Sequence, residues 1–279
     1  MRLFKEVVIV GPGLIGGSIA LGLKRKKIAG RVTGISRRQR TIALAKKIKA
    51  IDRGSRDLRL SKDADLVVLA APVDAILKIA ERLKGIIRKD CIVIDVGSSK
   101  EKIVKKLQNL FPLYLGTHPL AGSQHQGIAS ASQDLFCGSL CVLTPTKKTH
   151  PRVLRIIEKF WRSLGARVVF LTPAYHDKAI AMVSHLPHSV AFALMAAIPG
   201  NYLKYGSSGL SDTTRIAGSD SALWADIFLS NRKNILGSIG IFQKNLFKIR
   251  TAINRGDRKA LLKVLKAAQV KRNLYDNCH

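Results

Sequence analysis

Acidic side chains are scarce in this sequence. Its 279 residues hold 18 Asp+Glu against 48 Lys+Arg, a formal charge of +30. That excludes an acidic, solvating chain and favours encounters with anions of any kind. Composition alone leaves nucleic acid, an acidic membrane surface and a phosphate- or carboxylate-bearing small molecule all open. Cysteine is sparser still: Cys91, Cys137, Cys141 and Cys278 form no C-x-x-C and are too few to staple a chain of this length. A reducing compartment, the cytoplasm, is therefore expected. Aromatics make up only 6% of residues, the basic residues are spread along the whole length, and no reader motif accompanies them. Nucleic acid is thus not the expected partner. No internal repeat or low-complexity tract is present. The first residues, Met1 to Glu6, place an acid ahead of any apolar run, so no signal peptide is expected. One stretch, Ala179 to Leu203, runs 25 residues without a charge, long enough to span a bilayer. It contains Ser184, His185, Pro187, His188, Ser189 and Asn201, so a buried helix pair in a soluble protein, not a membrane span, is the expectation.

What is present points to an α/β protein. Hydrophobic residues make up 47% of the chain, enough for a sizeable core. Short β-rich runs at Val7 to Val10, Val32 to Ile35, Asp65 to Ala70, Cys91 to Asp95, Leu113 to Gly116, Leu140 to Leu143 and Arg167 to Leu171 alternate with helical patterns. That alternation predicts βαβ units in a doubly wound, parallel, Rossmann-type sheet with helices on both faces. After Thr172-Pro173 only helical patterns remain: Ala174 to Ser184, Pro187 to Ala197, a long helix from about Ser221 to Asn254, and a last one capped by Asp257 that runs to about Lys271. Two domains are predicted, a dinucleotide-binding domain over 1–172 and an all-helical domain over 173–279.

Gly11-Pro12-Gly13-Leu14-Ile15-Gly16 fits G-x-G-x-x-G directly after the first strand and before a helix. The physics needs that context. The first glycine makes the turn, the second admits a pyrophosphate, and the third packs helix on strand, with Leu14 and Ile15 opening the helix whose N-terminus attracts the anion. The end of the second strand reads Ser36-Arg37-Arg38 and offers no acid for a ribose 2′-hydroxyl. Arginine there accommodates a 2′-phosphate, so NADP is expected in preference to NAD, held by Ser36, Arg37 and Arg38.

Ligands of doubly wound sheets lie beyond the carboxyl ends of the strands. Three loops are placed there: Ala71-Pro72, Gly97-Ser98-Ser99-Lys100, and Thr117-His118-Pro119-Leu120-Ala121-Gly122. His118 is the best-placed titratable group for taking a proton from an alcohol, and a neighbouring serine could orient it. The helical part adds Ser184-His185-Leu186-Pro187-His188, whose histidines share a helix face or flank a proline kink, and Asp212-Thr213-Thr214-Arg215. No carboxylate or cysteine cluster accompanies His118, His185 and His188, so no metal site is expected.

Five segments in order, Val8 to Ser18, Asp95 to Lys100, His118 to Gly122, Ser184 to His188 and Asp212 to Ala217, make the chain resemble the prephenate/arogenate dehydrogenase family of tyrosine biosynthesis, over nearly its whole length. The resemblance implies an N-terminal dinucleotide-binding domain and C-terminal helices that form a homodimer. It implies NAD(P)-dependent oxidation of a hydroxycyclohexadiene ring, whose carboxylate leaves as CO2. By the same resemblance His118 takes the ring hydroxyl proton, Ser98 orients His118 and lies near the nicotinamide, Arg215 binds a substrate carboxylate, and His188 contacts the substrate side chain. His185 and Asp212 are supporting residues. Ser123 and Gln124 stand where many members carry an acid two residues after the glycine of H-P-x-A-G. Gln124 carries no charge for the amine that distinguishes arogenate, which leans toward prephenate, whereas Ser36-Arg37-Arg38 resembles members that use NADP and accept arogenate. No tract resembles a chorismate mutase or a regulatory module. The alternatives are a β-hydroxyacid-type dehydrogenase of similar architecture, whose helical region usually supplies a catalytic lysine, and a basic nucleic-acid-binding protein.

Overall fold

A computed structural model of the chain describes residues 2–122 and 127–276. Eight strands form one sheet in the order β3-β2-β1-β4-β5-β6-β7-β8. In chain order they are β1 (Phe4–Val10), β2 (Ala29–Ile35), β3 (Arg53–Ser55), β4 (Leu66–Leu69), β5 (Ile92–Asp95), β6 (Tyr114–Leu120), β7 (Leu140–Thr144) and β8 (Arg167–Phe170). Apolar side chains on β1 alternate between two cores, as a strand buried on both faces requires. Val7 and Ile9 enter the core covered by α1 (Leu14–Arg25), α2 (Gln39–Lys47) and α5 (Pro151–Ser163). Val8 and Val10 enter the one covered by α3 (Val73–Leu83) and α4 (Glu101–Leu110). The doubly wound arrangement predicted from the alternating runs is therefore present.

Two features differ from the sequence expectation. The sheet is not wholly parallel, since β7 runs antiparallel to β6. The fifth predicted run also does not stop at Gly116. Pairing with β5 ends at Gly116, but β6 continues along β7 through Thr117↔Leu143, His118↔Val142 and Pro119↔Cys141. Thr117-His118-Pro119, expected as a loop, carries a proline that cannot donate to a ladder. Beyond Gly116, however, β6 has a partner on one side only, where proline is tolerated. His118 thus sits on a strand, on firmer support than a loop would give. The short edge strand β3 was not anticipated.

The helical part follows β8. Pro173 opens α6 (Pro173–Ile180), whose Thr172 side chain accepts from Tyr175 N. A wide π turn over Ala181–His185 joins α6 to α7 (Leu186–Ala197). Pro187 has no N–H for the preceding turn, and a π turn is one way a helix absorbs such a loss. The expected buried helix pair is therefore one continuous helical run, Pro173–Ala197. Only 22% of its most apolar window is buried, and by length and composition it passes for a membrane-crossing helix. The long helix expected from Ser221 to Asn254 is likewise two helices, α9 (Ser221–Ser230) and α10 (Arg232–Asn254). The break falls at Asn231, which is buried and whose side chain is drawn inward by polar partners. Between α7 and α9 lie α8 (Ser208–Thr214) and a short 3-10 turn, Arg215–Gly218. Asp257 caps α11 (Arg258–Asp276) by accepting from Ala260 N at 2.9 Å, and that helix runs beyond the expected end near Lys271.

By its internal contacts the chain forms two compact units, Met1–Asn231 and Arg232–His279. All the candidate site residues belong to the first.

Candidate active site

The glycine turn shows three different environments for its three glycines. Gly11 adopts φ +93°, and a Cβ there would lie 2.2 Å from the Ala70 carbonyl oxygen. A Cβ on Gly16 would lie 2.4 Å from Gly11 O and 2.9 Å from an Ile9 methyl. A Cβ on Gly13 would meet nothing within 4 Å. Two glycines are thus required by packing, while the third keeps a space open at the start of α1, where intrahelical bonding leaves the N–H groups of Leu14 and Ile15 without a partner. An open, dipole-facing cradle of this kind fits a dinucleotide pyrophosphate. Gly11 N donates to Ile35 O at 2.8 Å, which places the cradle beside the end of β2. There Ser36 Oγ accepts from Arg38 N at 3.2 Å, and Arg37 and Arg38 are exposed. Ala70 N donates to Val10 O at 2.8 Å, so Ala71 and Pro72, which caps α3, flank the other side.

Deeper in, a fully buried ion pair anchors the loop after β5. Lys100 and Asp95 both have 0% exposure and are directly paired. Further hydrogen bonds hold both partners. Lys100 Nζ also donates to Thr117 O at 2.8 Å, Tyr114 Oη donates to Asp95 Oδ1 at 2.6 Å, and Gly97 N donates to Asp95 Oδ2 at 2.9 Å. A buried pair persists when its remaining hydrogen bonds are satisfied in this way. Here it ties the Gly97-Ser98-Ser99 loop to β6 one residue before His118.

His118 Nδ1 lies 2.8 Å from His176 Nε2, and His176 Nδ1 lies 2.8 Å from Asp177 Oδ1. Asp177 in turn accepts from Lys100 N at 2.6 Å and Glu101 N at 2.9 Å, the two backbone donors at the start of α4. Its backbone carbonyl accepts from Asn231 Nδ2 at 2.8 Å, and the same amide nitrogen is 3.3 Å from His185 Nδ1. His185 meets the edge of Trp224, and His188 stacks flat on the same indole with centroids 3.5 Å apart. His188 Nδ1 is 2.9 Å from Ser184 O. One contiguous cluster therefore runs from β6 through α6 and α7 to α9.

Burial sets the protonation of these rings. Desolvation, reinforced by His176, Lys100 and His185, pushes His118 well below its ordinary value. The same desolvation lowers His176, takes His185 down to about 4, and lowers His188, where the charge of Arg215 adds to the effect. Burial therefore favours the neutral form of all four imidazoles, the form in which His118 can accept a proton.

His118, His185 and His188 are brought together. Arg215 is exposed on the 3-10 turn, near enough for its charge to act on His188. Asp212 is exposed on α8 and forms no ion pair among the described residues, so the orienting role expected of it has no contact behind it. Ser98 is half-buried in the anchored loop, but the ring nitrogen of His118 that packs inward faces His176, not Ser98. Ser123 and Gln124 lie outside the described residues. Sequence reasoning missed His176, Asp177, Trp224 and Asn231. The only local signal was a His-Asp pair in the first turn of a helix, and such pairs are common.

Comparison with known proteins gives consistent findings. Residues 19–170 match the family model described as prephenate dehydrogenase, nucleotide-binding domain, and residues 172–267 the one described as prephenate dehydrogenase, dimerization domain. The first match begins just after the glycine turn, so the cradle stands on its geometry. The chain is 32% identical to a cyclohexadienyl dehydrogenase of Zymomonas mobilis, covering 96% of this chain and 95% of that protein. It superposes on the crystal structure of an A. aeolicus prephenate dehydrogenase in complex with hydroxyphenyl propionate and NAD+ with a TM-score of 0.92, at 35% identity, covering 97% of this chain and 98% of that one. A Synechocystis arogenate dehydrogenase gives a TM-score of 0.84 at 32% identity, covering 97% and 99%.

Proposed function

Because the chain belongs to the prephenate dehydrogenase family, we propose that it oxidatively decarboxylates prephenate, or its amino counterpart arogenate, with NADP preferred over NAD, in tyrosine biosynthesis. The observation that carries this reading is the neutral, inward-braced imidazole of His118, on β6 beyond the carboxyl ends of the strands that hold the glycine cradle. When bound, the nicotinamide would supply the hydride acceptor. Gly11, Gly13 and Gly16, with the N–H groups of Leu14 and Ile15, hold its pyrophosphate, while Ser36, Arg37 and Arg38 receive the 2′-phosphate and Ala71, Pro72 and Ser98 line its path. His118 accepts the ring hydroxyl proton. The exposed guanidinium of Arg215 pairs with a substrate carboxylate, for which its planar fork is suited. His188, clamped on Trp224, faces the substrate side chain, and His185 with Asn231 supports it. Asp212, Ser123 and Gln124 complete the substrate-side set carried over from the family resemblance.

The division near residue 172, between β8 and α6, separates cofactor-binding from substrate-binding and dimer-forming parts. A homodimer accounts for the apolar run Pro173–Ala197 that the chain itself leaves largely open. It also accounts for Leu236, Leu246, Phe247 and Ile253 exposed on α10 and for Leu265 exposed on α11, in a segment matching a family dimerization domain. A cytoplasmic location agrees with free Cys91, Cys137 and Cys141. The testing experiment is an initial-rate matrix of prephenate and arogenate against NAD and NADP. Turnover of at least one ring substrate, with the higher kcat/KM for NADP, is the expected result. Inactivity in all four cells would reject the reading, and a clear preference for NAD would reject the role of Arg37 and Arg38.

A further inference from the structure

We propose that His176 and Asp177 are positioning residues that fix the tautomer of His118, turning its Nδ1 proton inward and leaving the Nε2 lone pair for the substrate hydroxyl. The inference rests on His118 being the base, as above. The Asp177 carboxylate receives two backbone N–H groups, Lys100 N at 2.6 Å and Glu101 N at 2.9 Å, which can only donate. They belong to the start of a ten-residue helix whose dipole favours an anion. An ionised carboxylate accepts only, so the hydrogen shared with His176 must reside on His176 Nδ1. In a neutral imidazole the other nitrogen is then an acceptor. His176 Nε2 can therefore face His118 Nδ1 at 2.8 Å only if that nitrogen carries the proton.

The competing arrangement has His176 doubly protonated and His118 carrying its proton on Nε2, which would leave no base. It puts a cation on a ring with 0% exposure, beside the buried ammonium of Lys100. Burial and Lys100 lower His176; Asp177 and Asp95 act the other way and are outweighed. Around His118 the other facing groups are Lys100 and His185, both of which disfavour a charged ring; Cys141 on β7 meets only the His118 backbone, and burial keeps its thiol protonated. Once His118 takes the hydroxyl proton at Nε2, the O–H bond is broken, an N–H bond is formed and the ring becomes an imidazolium. Its Nδ1–H still points at His176, and behind His176 stands the Asp177 carboxylate, so the developing charge meets an anion through one neutral ring. A buried carboxylate that orients a histidine by its far nitrogen is a known catalytic device.

The test has a spectroscopic arm and a kinetic arm. In protein labelled with 15N at histidine, His118 is assigned by its loss in His118→Asn. At pH 7.5 its Nδ1 should resonate as a protonated, pyrrole-type nitrogen and its Nε2 as a pyridine-type one. In Asp177→Asn one acceptor becomes a donor that meets the N–H of Lys100 or of Glu101, so the ionised anchor for His176 Nδ1–H is lost and His118 should no longer hold that single tautomer. Turnover should then fall by about 10²–10⁴, the range associated with a general base, with KM within about threefold and the melting temperature recorded alongside. His176→Gln keeps an acceptor oxygen and should retain at least tenfold more turnover than His176→Leu, a difference that a packing role alone would not produce. A pyrrole-type Nε2 in the unaltered protein overturns the proposal, as does normal turnover in a folded Asp177→Asn. Should that variant fail to fold, the tautomer of the unaltered protein decides. The tautomer is read without turnover, so an inactive rate matrix would sink the functional reading and leave this result standing.

Discussion

The two ends of the site are built differently. At the cofactor end, one segment of six residues, Gly11 to Gly16, supplies the cradle from backbone alone; packing requires Gly11 and Gly16, while a side chain at Gly13 would enter open space. At the histidine end the working atoms are side chains drawn from β6, α6, α7 and α9, with His118 and His176 separated by 58 residues and Asp177 and Asn231 by 54. A backbone site is local in sequence and tolerates change in its neighbours. A side-chain relay is assembled by tertiary packing and fails at any link.

The largest test of that contrast is a kinetic split within the histidine end. His118→Asn should lower kcat by about 10²–10⁴ while leaving KM nearly unchanged, because a general base acts mainly in the transition state. Arg215→Ala should do the reverse. It leaves kcat within a few-fold and raises KM by roughly tenfold or more, since hydrogen bonds to charged groups contribute about 1.5–3 kcal/mol. Steady-state kinetics on both variants decides. Equal losses in kcat for the two would dissolve the division between a base and an anchor.

The next test falls on the glycine turn, where two chemically identical substitutions should separate. Gly11→Ala forces a Cβ to within 2.2 Å of a carbonyl at φ +93°, and a non-glycine residue in such a conformation alone costs about 1–3 kcal/mol. Gly13→Ala meets nothing within 4 Å, so its unfolding midpoint should stay close to that of the parent, whereas its KM for the dinucleotide should rise several-fold as the methyl enters the cradle. Urea melts paired with cofactor titrations read both. A destabilised Gly13→Ala that binds cofactor normally would show the space to be structural.

The same contrast explains what was legible in the sequence. The cradle, the Ser36-Arg37-Arg38 turn, seven of the eight strands and the cap Asp257 are local patterns, each carried by a few consecutive residues. Missed features depend on partners far away in sequence. β6 outruns Gly116 because β7 lies beside it, and the helix from Ser221 breaks at Asn231 because Asp177 and His185 take its amide. The run Ala179 to Leu203 is expected to be buried because polar residues interrupt an uncharged stretch, but neither feature says what covers a surface. His176 escaped notice for a related reason. Nothing in Tyr175-His176-Asp177 shows that the His118 ring, carried by β6, lies 2.8 Å from the ring of His176.

The smallest expected effect concerns stability. His118, His176, His185 and His188 are all lowered by burial, His185 to about 4. In the unfolded chain each titrates near its ordinary value of about 6.5. Between that value and the lowered ones the unfolded state binds more protons, so stability must rise with pH across the window and fall as acid is added. Above about pH 7 the four rings are neutral in both states and contribute no slope. Urea midpoints at pH 7.5 and pH 5 should therefore differ, with the acid value lower, and the gap should narrow in a His185→Gln variant because one depressed site is gone. The glycine end contains no group that titrates in this range, so it predicts no slope of its own. An unchanged midpoint between the two pH values would mean that the histidine cluster takes up protons without opening, and that its burial is shallower than its contacts indicate.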